Sequence, residues 1–221
     1  MRRLLFILTA LLLGTVASAQ IRVDESLAIG YNRSFGLYED NATMVSWLMR
    51  GRLDLRGGLR LQSNLTATEL GSKYYFNDSF GVEGFYIGQR SKELDFKERN
   101  LGVLGIWRWK DQVEVKAGTF FKWIKPFKGK GSVAEPLNFA YSVSFWALNT
   151  EKRFNVGGSI ATLDMFTAER FYCPMLTVKL RYRINDRYLV YLNFREHNSG
   201  IFDLTSVRYD RQFRVGTVIK W

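Results

Sequence analysis

Apolar and polar residues alternate through residues 209–221. Phe213, Val215, Thr217, Ile219 and Trp221 share one face of an extended strand, and Gln212, Arg214, Gly216, Val218 and Lys220 share the other. Similar two-residue periodicity, bounded by turn dipeptides, predicts strands near 24–36, 43–56, 58–66, 69–77, 80–91 and 98–109. The second half predicts strands near 112–124, 138–149, 153–166, 174–185, 187–197 and 207–221. That makes twelve; if 58–77 is not a hairpin, the count is ten. Tight breaks at Arg56-Gly57-Gly58, Asn77-Asp78, Lys110-Asp111, Asn149 to Lys152 and Asn185-Asp186 fall on one side. The longer breaks at 37–42, 92–97, 125–137, 167–173 and 198–206 fall on the other. Short turns at one end and long loops at the other are what an up-and-down membrane barrel requires.

One face of these strands is apolar: Val45, Trp47, Met49, Leu53 and Leu55; Leu59, Leu61 and Leu65; Val113, Val115, Ala117, Phe121 and Trp123; Leu176, Val178, Leu180, Tyr182 and Ile184; Val190, Leu192 and Phe194. Trp107, Trp109, Trp123, Trp146, Tyr182 and Tyr188 sit near strand ends, where aromatic girdles belong. The alternative is the core face of a periplasmic β-sandwich or soluble barrel, which also alternates. The alternating strand that ends on Trp221 resembles the closing strand of Gram-negative outer-membrane β-barrels. That resemblance implies an insertion signal at Phe213, Val215, Ile219 and Trp221, read by the barrel-assembly machinery. The expected fold is all-β: a single antiparallel up-and-down transmembrane barrel over residues 20–221.

The N-terminus points to the same compartment. Arg2 and Arg3 precede an apolar run from Leu4 to Leu13 and an Ala17-Ser18-Ala19 cleavage motif. Residues 1–19 therefore read as a secretory signal peptide, with the mature chain starting at Gln20 in the outer membrane. The apolar run is too short for a permanent spanning helix. Aromatic content is 15%, which suits lipid-facing girdles in a chain that is polar on average. Cys173 is the only cysteine, so no internal disulfide forms.

Charge locates the candidate chemistry. The formal net charge is +11. The polar faces of the clearest strands carry Arg50, Arg52, Arg60, Lys116, Lys179, Arg181, Arg183, Arg195, Arg214 and Lys220, against Asp54, Glu114 and Asp210. Glu83 and Asp164 are further candidate counter-charges. Unpaired charge in a dry interior is costly, so this excess implies a lumen that holds water, an anion or an acidic inserted loop. Basic pore walls favour anions. The expected function is passive passage or binding of small anionic solutes. A plugged, non-conducting structural or surface-interaction barrel is the alternative, and segment 125–137 is the candidate plug. Twelve strands, arginine rows and the stretch Arg211-Gln212-Phe213-Arg214-Val215-Gly216 resemble the small porins for acidic oligosaccharides.

Other motifs add less. The lone histidine lies in His197-Asn198-Ser199, and a His-x-Ser pair with a third carboxylate, Asp210 or Asp203, has the composition of an outer-membrane esterase or lipid deacylase. The phase of His197 turns it into the lumen, away from lipid. Lys122, Lys125, Lys128 and Lys130 lie among Phe120, Phe121, Trp123 and Phe127; for an exported protein, lipopolysaccharide phosphate is the expected anionic partner rather than nucleic acid. No metal site and no cofactor is expected from one His and one Cys.

Overall fold

The computed structural model describes residues 19–34, 36–91, 96–126, 131–148, 152–199 and 208–221. The expected signal peptide (but for Ala19), Lys128, Lys130 and Asp203 lie outside them. Twelve strands close into one antiparallel barrel. They are β1 (Ala19–Asn32), β2 (Gly36–Met49), β3 (Leu53–Gln62), β4 (Leu65–Tyr75), β5 (Phe80–Ser91), β6 (Phe96–Trp109), β7 (Val113–Pro126), β8 (Val133–Trp146), β9 (Phe154–Ala161), β12 (Met175–Arg183), β13 (Tyr188–Asn198) and β14 (Arg208–Lys220). Two short strands between β9 and β12, β10 (Leu163–Asp164) and β11 (Thr167–Ala168), pair only with each other. Pairing of β1 with β14, from Arg22 opposite Lys220 to Asn32 opposite Asp210, closes the sheet. Closure satisfies every edge within the sheet, the condition a strand must meet in lipid. The twelve-strand count stands and the ten-strand alternative falls.

Turn chemistry explains most of the strand ends. Asn77 Oδ1 accepts from the amides of Ser79 and Phe80 at 2.9 and 2.8 Å. Asn185 Oδ1 does the same for Arg187 and Tyr188, both at 2.9 Å. Asn155 ties β9 to Leu148 by accepting from Leu148 N at 3.0 Å and donating to Leu148 O at 2.8 Å. These tight turns and the β1 and β14 termini share one end, which is the periplasmic end in barrels of this class.

The first two hairpins differ from the sequence reading. Gly57 and Gly58 lie inside β3, opposite Val45 and Met44, and are not a turn. The β2–β3 turn instead uses Arg50 and Gly51, with φ of 48° and 67°, and Arg52 N donates to Met49 O at 3.1 Å. Two successive left-handed residues match the twist of a tight hairpin. Gly58 has a different purpose: a Cβ there would lie 2.7 Å from Met44 Cε and 3.0 Å from the Phe166 ring. The outer connection between β1 and β2 shrinks accordingly, and 37–42 is strand rather than loop.

The exterior is apolar, with Leu27 67%, Leu70 62%, Val178 54% and Trp221 63% exposed to what is lipid in the membrane. Leu65 departs from the expected face: it opens β4 in phase with the buried Ala67. Trp146 also departs, facing the lumen under the Arg181 guanidinium, 4.2 Å from the ring centroid. The interior holds buried carboxylates at Asp24, Asp40, Glu69 and Glu83.

A hairpin-capped charged lumen as the candidate functional site

Strand β9 ends where Thr162 substitutes for a ladder residue. Its amide donates to Tyr141 O at 2.9 Å and its Oγ1 accepts from Tyr141 N at 3.0 Å. The chain then leaves the wall, and residues 163–169 fold into the lumen, after which Phe171 returns to the exterior against Phe139 and Tyr141, with ring centroids 5.7 and 5.2 Å away. Leu163 packs on an apolar cluster of Phe85, Ile87, Leu104, Phe120, Ala140 and Ala168. Phe166, 4% exposed, packs with Ala42, Met44 and Ala67 across the barrel. Polar contacts fasten the hairpin to three further places. Gln89 Nε2 donates to Phe166 O, Lys122 Nζ donates to Ala168 O at 3.2 Å, and Asp164 Oδ2 meets Arg195 Nη1 at 2.6 Å. The strand expected at 153–166 is thus divided into a wall strand and a hairpin inserted into the lumen.

The segment anticipated as a plug, 125–137, behaves differently. Its described residues continue β7 to Pro126 and start β8 at Val133. The signal for the inserted hairpin lay in the middles of 80–91 and 98–109, where apolar residues interrupt the polar face. Strands that face lipid outside and water inside carry apolar residues on one face only. Phe85, Ile87, Leu104 and Ile106 turned inward mark where an apolar element enters.

Beneath the hairpin a lumenal cavity of about 490 Å³ is lined by ten basic side chains and four acidic ones, and Asp40, Glu69 and Asp210 add buried carboxylates beside it. Most of the cations are matched. Asp40 Oδ2 accepts from Arg60 Nε, Arg214 Nη2 and Gln212 Nε2 at 2.7, 2.7 and 2.6 Å. Arg214 Nη1 also donates to Ser26 Oγ at 2.7 Å. Glu83, fully buried, meets Lys116 Nζ at 2.9 Å, Lys73 Nζ at 3.9 Å and the Arg56 guanidinium. Arg56 Nε reaches Glu69 at 2.6 Å, and Lys116 Nζ reaches Glu114 at 3.3 Å. Arg195 also approaches Asp210 at 3.5 Å. Glu83 and Asp164, the two acids suspected as counter-charges, both act as such.

Three lumenal cations remain outside this network. Lys179 and Arg181 on β12 and Lys220 on β14 line the lower cavity, and none forms an ion pair with a carboxylate among the described residues. Arg181 Nη2 is shielded from solvent without a hydrogen-bond partner. The hydroxyls of Ser142, Ser144, Ser159 and Thr177 line the same cavity. Arg183 lies half-buried one inward position below Arg181, at the end of β12. Arg50 and Arg52 are exposed in the β2–β3 turn instead of lining the lumen, because the strand ends at Met49.

Of the esterase candidates, His197 and Asp210 stand opposite each other across β13 and β14. Asp210 accepts from Tyr38 Oη at 2.8 Å and approaches Arg195, so its carboxylate is engaged by other groups. His197 is buried in the lumen, with Nε2 3.9 Å from Glu169 Oε1 of the inserted loop, while Ser199 is exposed. Cys173 Sγ contacts Ser199 O at 3.2 Å. Phe213, Val215 and Trp221 face outward, 46%, 48% and 63% exposed, and Ile219 shares their face.

A closed twelve-stranded antiparallel barrel, apolar outside and charged inside, is an outer-membrane β-barrel of porin-like fold. Its structural relatives agree. The chain is similar to the KdgM porin in complex with disordered oligogalacturonate, with 13% identity and a TM-score of 0.60 over 90% of this chain and 98% of that one. It is similar to the NanC porin, with 10% identity and a TM-score of 0.58 over 90% and 100% of the two chains. The translocator domain of the autotransporter NalP from Neisseria meningitidis gives 11% identity and a TM-score of 0.57, covering 97% and 95%. No protein-family model and no curated protein matches the sequence. At these identities the likeness establishes the fold alone.

Proposed function

We propose that this barrel is a gated pore for small anionic solutes, with the 163–169 hairpin as its outer cap and Lys179, Arg181 and Lys220 as its anion-accepting wall. The observation that carries this reading is the division of the lumenal charges. Where stability alone requires ion pairs, a barrel neutralises its interior, as the Asp40 and Glu83 clusters do here. Lys179, Arg181 and Lys220 stand apart from that pattern, on the wall of a cavity large enough for a solute. Positive potential in a low-dielectric channel concentrates anions. Trp146 beneath Arg181 and the neighbouring serine hydroxyls suit a solute that carries both a carboxylate and hydroxyl groups. The acidic oligosaccharide named with the KdgM porin is a solute of that kind and supports the reading.

The signal peptide, cleavage after Ala19 and recognition of the closing strand through Phe213, Val215, Ile219 and Trp221 complete the proposal for export and insertion.

The test is liposome swelling with galacturonate and galactose as paired solutes. The wild-type barrel should admit the acidic sugar faster, and Lys179→Gln/Arg181→Gln/Lys220→Gln should bring the two rates together. The hairpin favours a second reading, a permanently plugged structural barrel. Under it, neither solute enters in any variant.

A further inference from the structure

The hairpin reaches into the lumen with a single charge. Residues 163–168 read Leu-Asp-Met-Phe-Thr-Ala, so Asp164 is the only ionisable group among them. Leu163 and Phe166 are held by apolar contact, and Gln89 and Lys122 bond only to backbone carbonyls, those of Phe166 and Ala168. Among the described residues, the pair of Asp164 with Arg195 is therefore the one contact between this segment and the wall that a solute anion can copy.

That pair is built unevenly. The Arg195 side chain is 9% exposed and the Asp164 side chain 43%. Asp164 spends one oxygen on it: Oδ2 meets Arg195 Nη1 at 2.6 Å, while Oδ1 turns back to accept from Met165 N at 2.8 Å. Arg195 has donors to spare. Its Nη2 lies 3.5 Å from Asp210 Oδ2, too far for a good hydrogen bond, and its Nε is buried without an acceptor. A guanidinium holds a carboxylate best through two parallel bonds, and Asp164, tied to its own turn, supplies one. A free carboxylate carries no such tie.

The surroundings bring a solute to the pair. Asp164 and Arg195 both line the lumenal cavity. Arg195 on β13 stands opposite Thr177 on β12, and Lys179 is the next inward residue along β12. An anion held at Lys179 is thus one inward position from the guanidinium that Asp164 occupies.

Building on the lumen as a path for anionic solutes, we infer that Arg195 is a carboxylate-binding site, filled in the closed barrel by Asp164 as an internal ligand. A solute carboxylate takes the site by exchange, and Asp164 passes into the cavity water. A ligand that binds only when Asp164 is away shifts the hairpin toward its released position, so the solute opens its own path.

Hydrogen–deuterium exchange of the refolded barrel, followed over residues 163–169, reads that release. Glu169 N donates to Thr162 O at 2.8 Å in the closed hairpin, and amides of this kind exchange in proportion to the released fraction. Galacturonate should speed their exchange about tenfold, the equilibrium worth of one charge-assisted hydrogen bond. Galactose, and sodium chloride at matched ionic strength, should leave it unchanged. Asp164→Asn should exchange about tenfold faster without solute, and galacturonate should add nothing further. Wild-type exchange that galacturonate does not move overturns the inference. So does an equal effect of sodium chloride, or an Asp164→Asn barrel that responds as the wild type does. Planar bilayers read the pore separately: a silent barrel whose hairpin galacturonate loosens sinks the pore and keeps the exchange, and anion current with an unmoved hairpin does the reverse.

Discussion

Removing the Phe166 ring should open the pore. Phe166 is 4% exposed and fills the space that Gly58 leaves beside Met44, Ala42 and Ala67. It sits on an inserted hairpin that shares no ladder with the barrel wall. Truncating a buried Phe to Ala costs about 3–5 kcal/mol. In the wall that loss would destabilise the whole protein; here it falls on the closed position of the hairpin. Even the lower figure shifts the ratio of closed to open by about a hundredfold, since about 1.4 kcal/mol is a factor of ten. The remaining fastenings, Asp164 to Arg195 and Lys122 to Ala168 O, keep the hairpin tethered. Phe166→Ala should therefore raise the open probability of single channels in planar bilayers by one to two orders of magnitude. Its heat-modifiable migration on gels, which reports the folded barrel, should stay that of the wild type. An unchanged open probability in a folded Phe166→Ala barrel would refute the hairpin as a gate.

Three further outcomes follow from the same geometry. Glu83→Gln leaves Lys116, Lys73 and Arg56 without their shared carboxylate, and breaking a buried pair in this way costs about 3–5 kcal/mol; the urea midpoint of the refolded barrel should fall while its register is kept. Glu169, in the inserted loop, has its carboxyl pushed up to about 7 by burial, against the pull of Lys122. A carboxyl of ordinary pKa 4.5 when released into water binds its proton less readily than this one, so the closed hairpin holds the extra proton between those values. Closure is then fully present at acid pH and is lost as pH rises toward 7; open probability should climb over that window and Glu169→Gln should flatten the climb. Ser199→Ala should leave phospholipid and lipid A intact at wild-type levels in a lipid-release assay, because Asp210 is engaged by Tyr38 and Arg195.

Much of the wall was legible in the sequence, because a membrane barrel has one repeating demand. Lipid outside and polar interior impose alternation, and Asn77, Asn155 and Asn185 leave the turn signals that end strands. Gly57-Gly58 misled because glycine has two uses: it permits a turn, and it makes room. Here it made room for Phe166, a residue more than a hundred positions away. The inserted hairpin was hidden for the same reason. Leu163 and Phe166 continue the apolar pattern of β9, and nothing local says that the chain leaves the wall at Thr162. Only the inward apolar residues of β5 and β6, Phe85, Ile87 and Leu104, recorded what the hairpin packs against. The lumenal cations were identified by phase, but phase cannot say which are paired. Arg60, Arg195 and Arg214 turned out to be fastened to carboxylates from distant strands, and Lys179, Arg181 and Lys220 line the cavity outside those ion pairs.

Anion-selective conduction through the lumen, as proposed, has a direct electrical signature. Single-channel reversal potentials of the wild-type and Phe166→Ala barrels in a potassium chloride gradient test it most directly. Both should open with a reversal potential displaced toward that of chloride, and adding Lys179→Gln/Arg181→Gln/Lys220→Gln should return it close to zero while conductance persists. Folded, inserted barrels that stay silent in both forms, or that prefer potassium, would contradict the account.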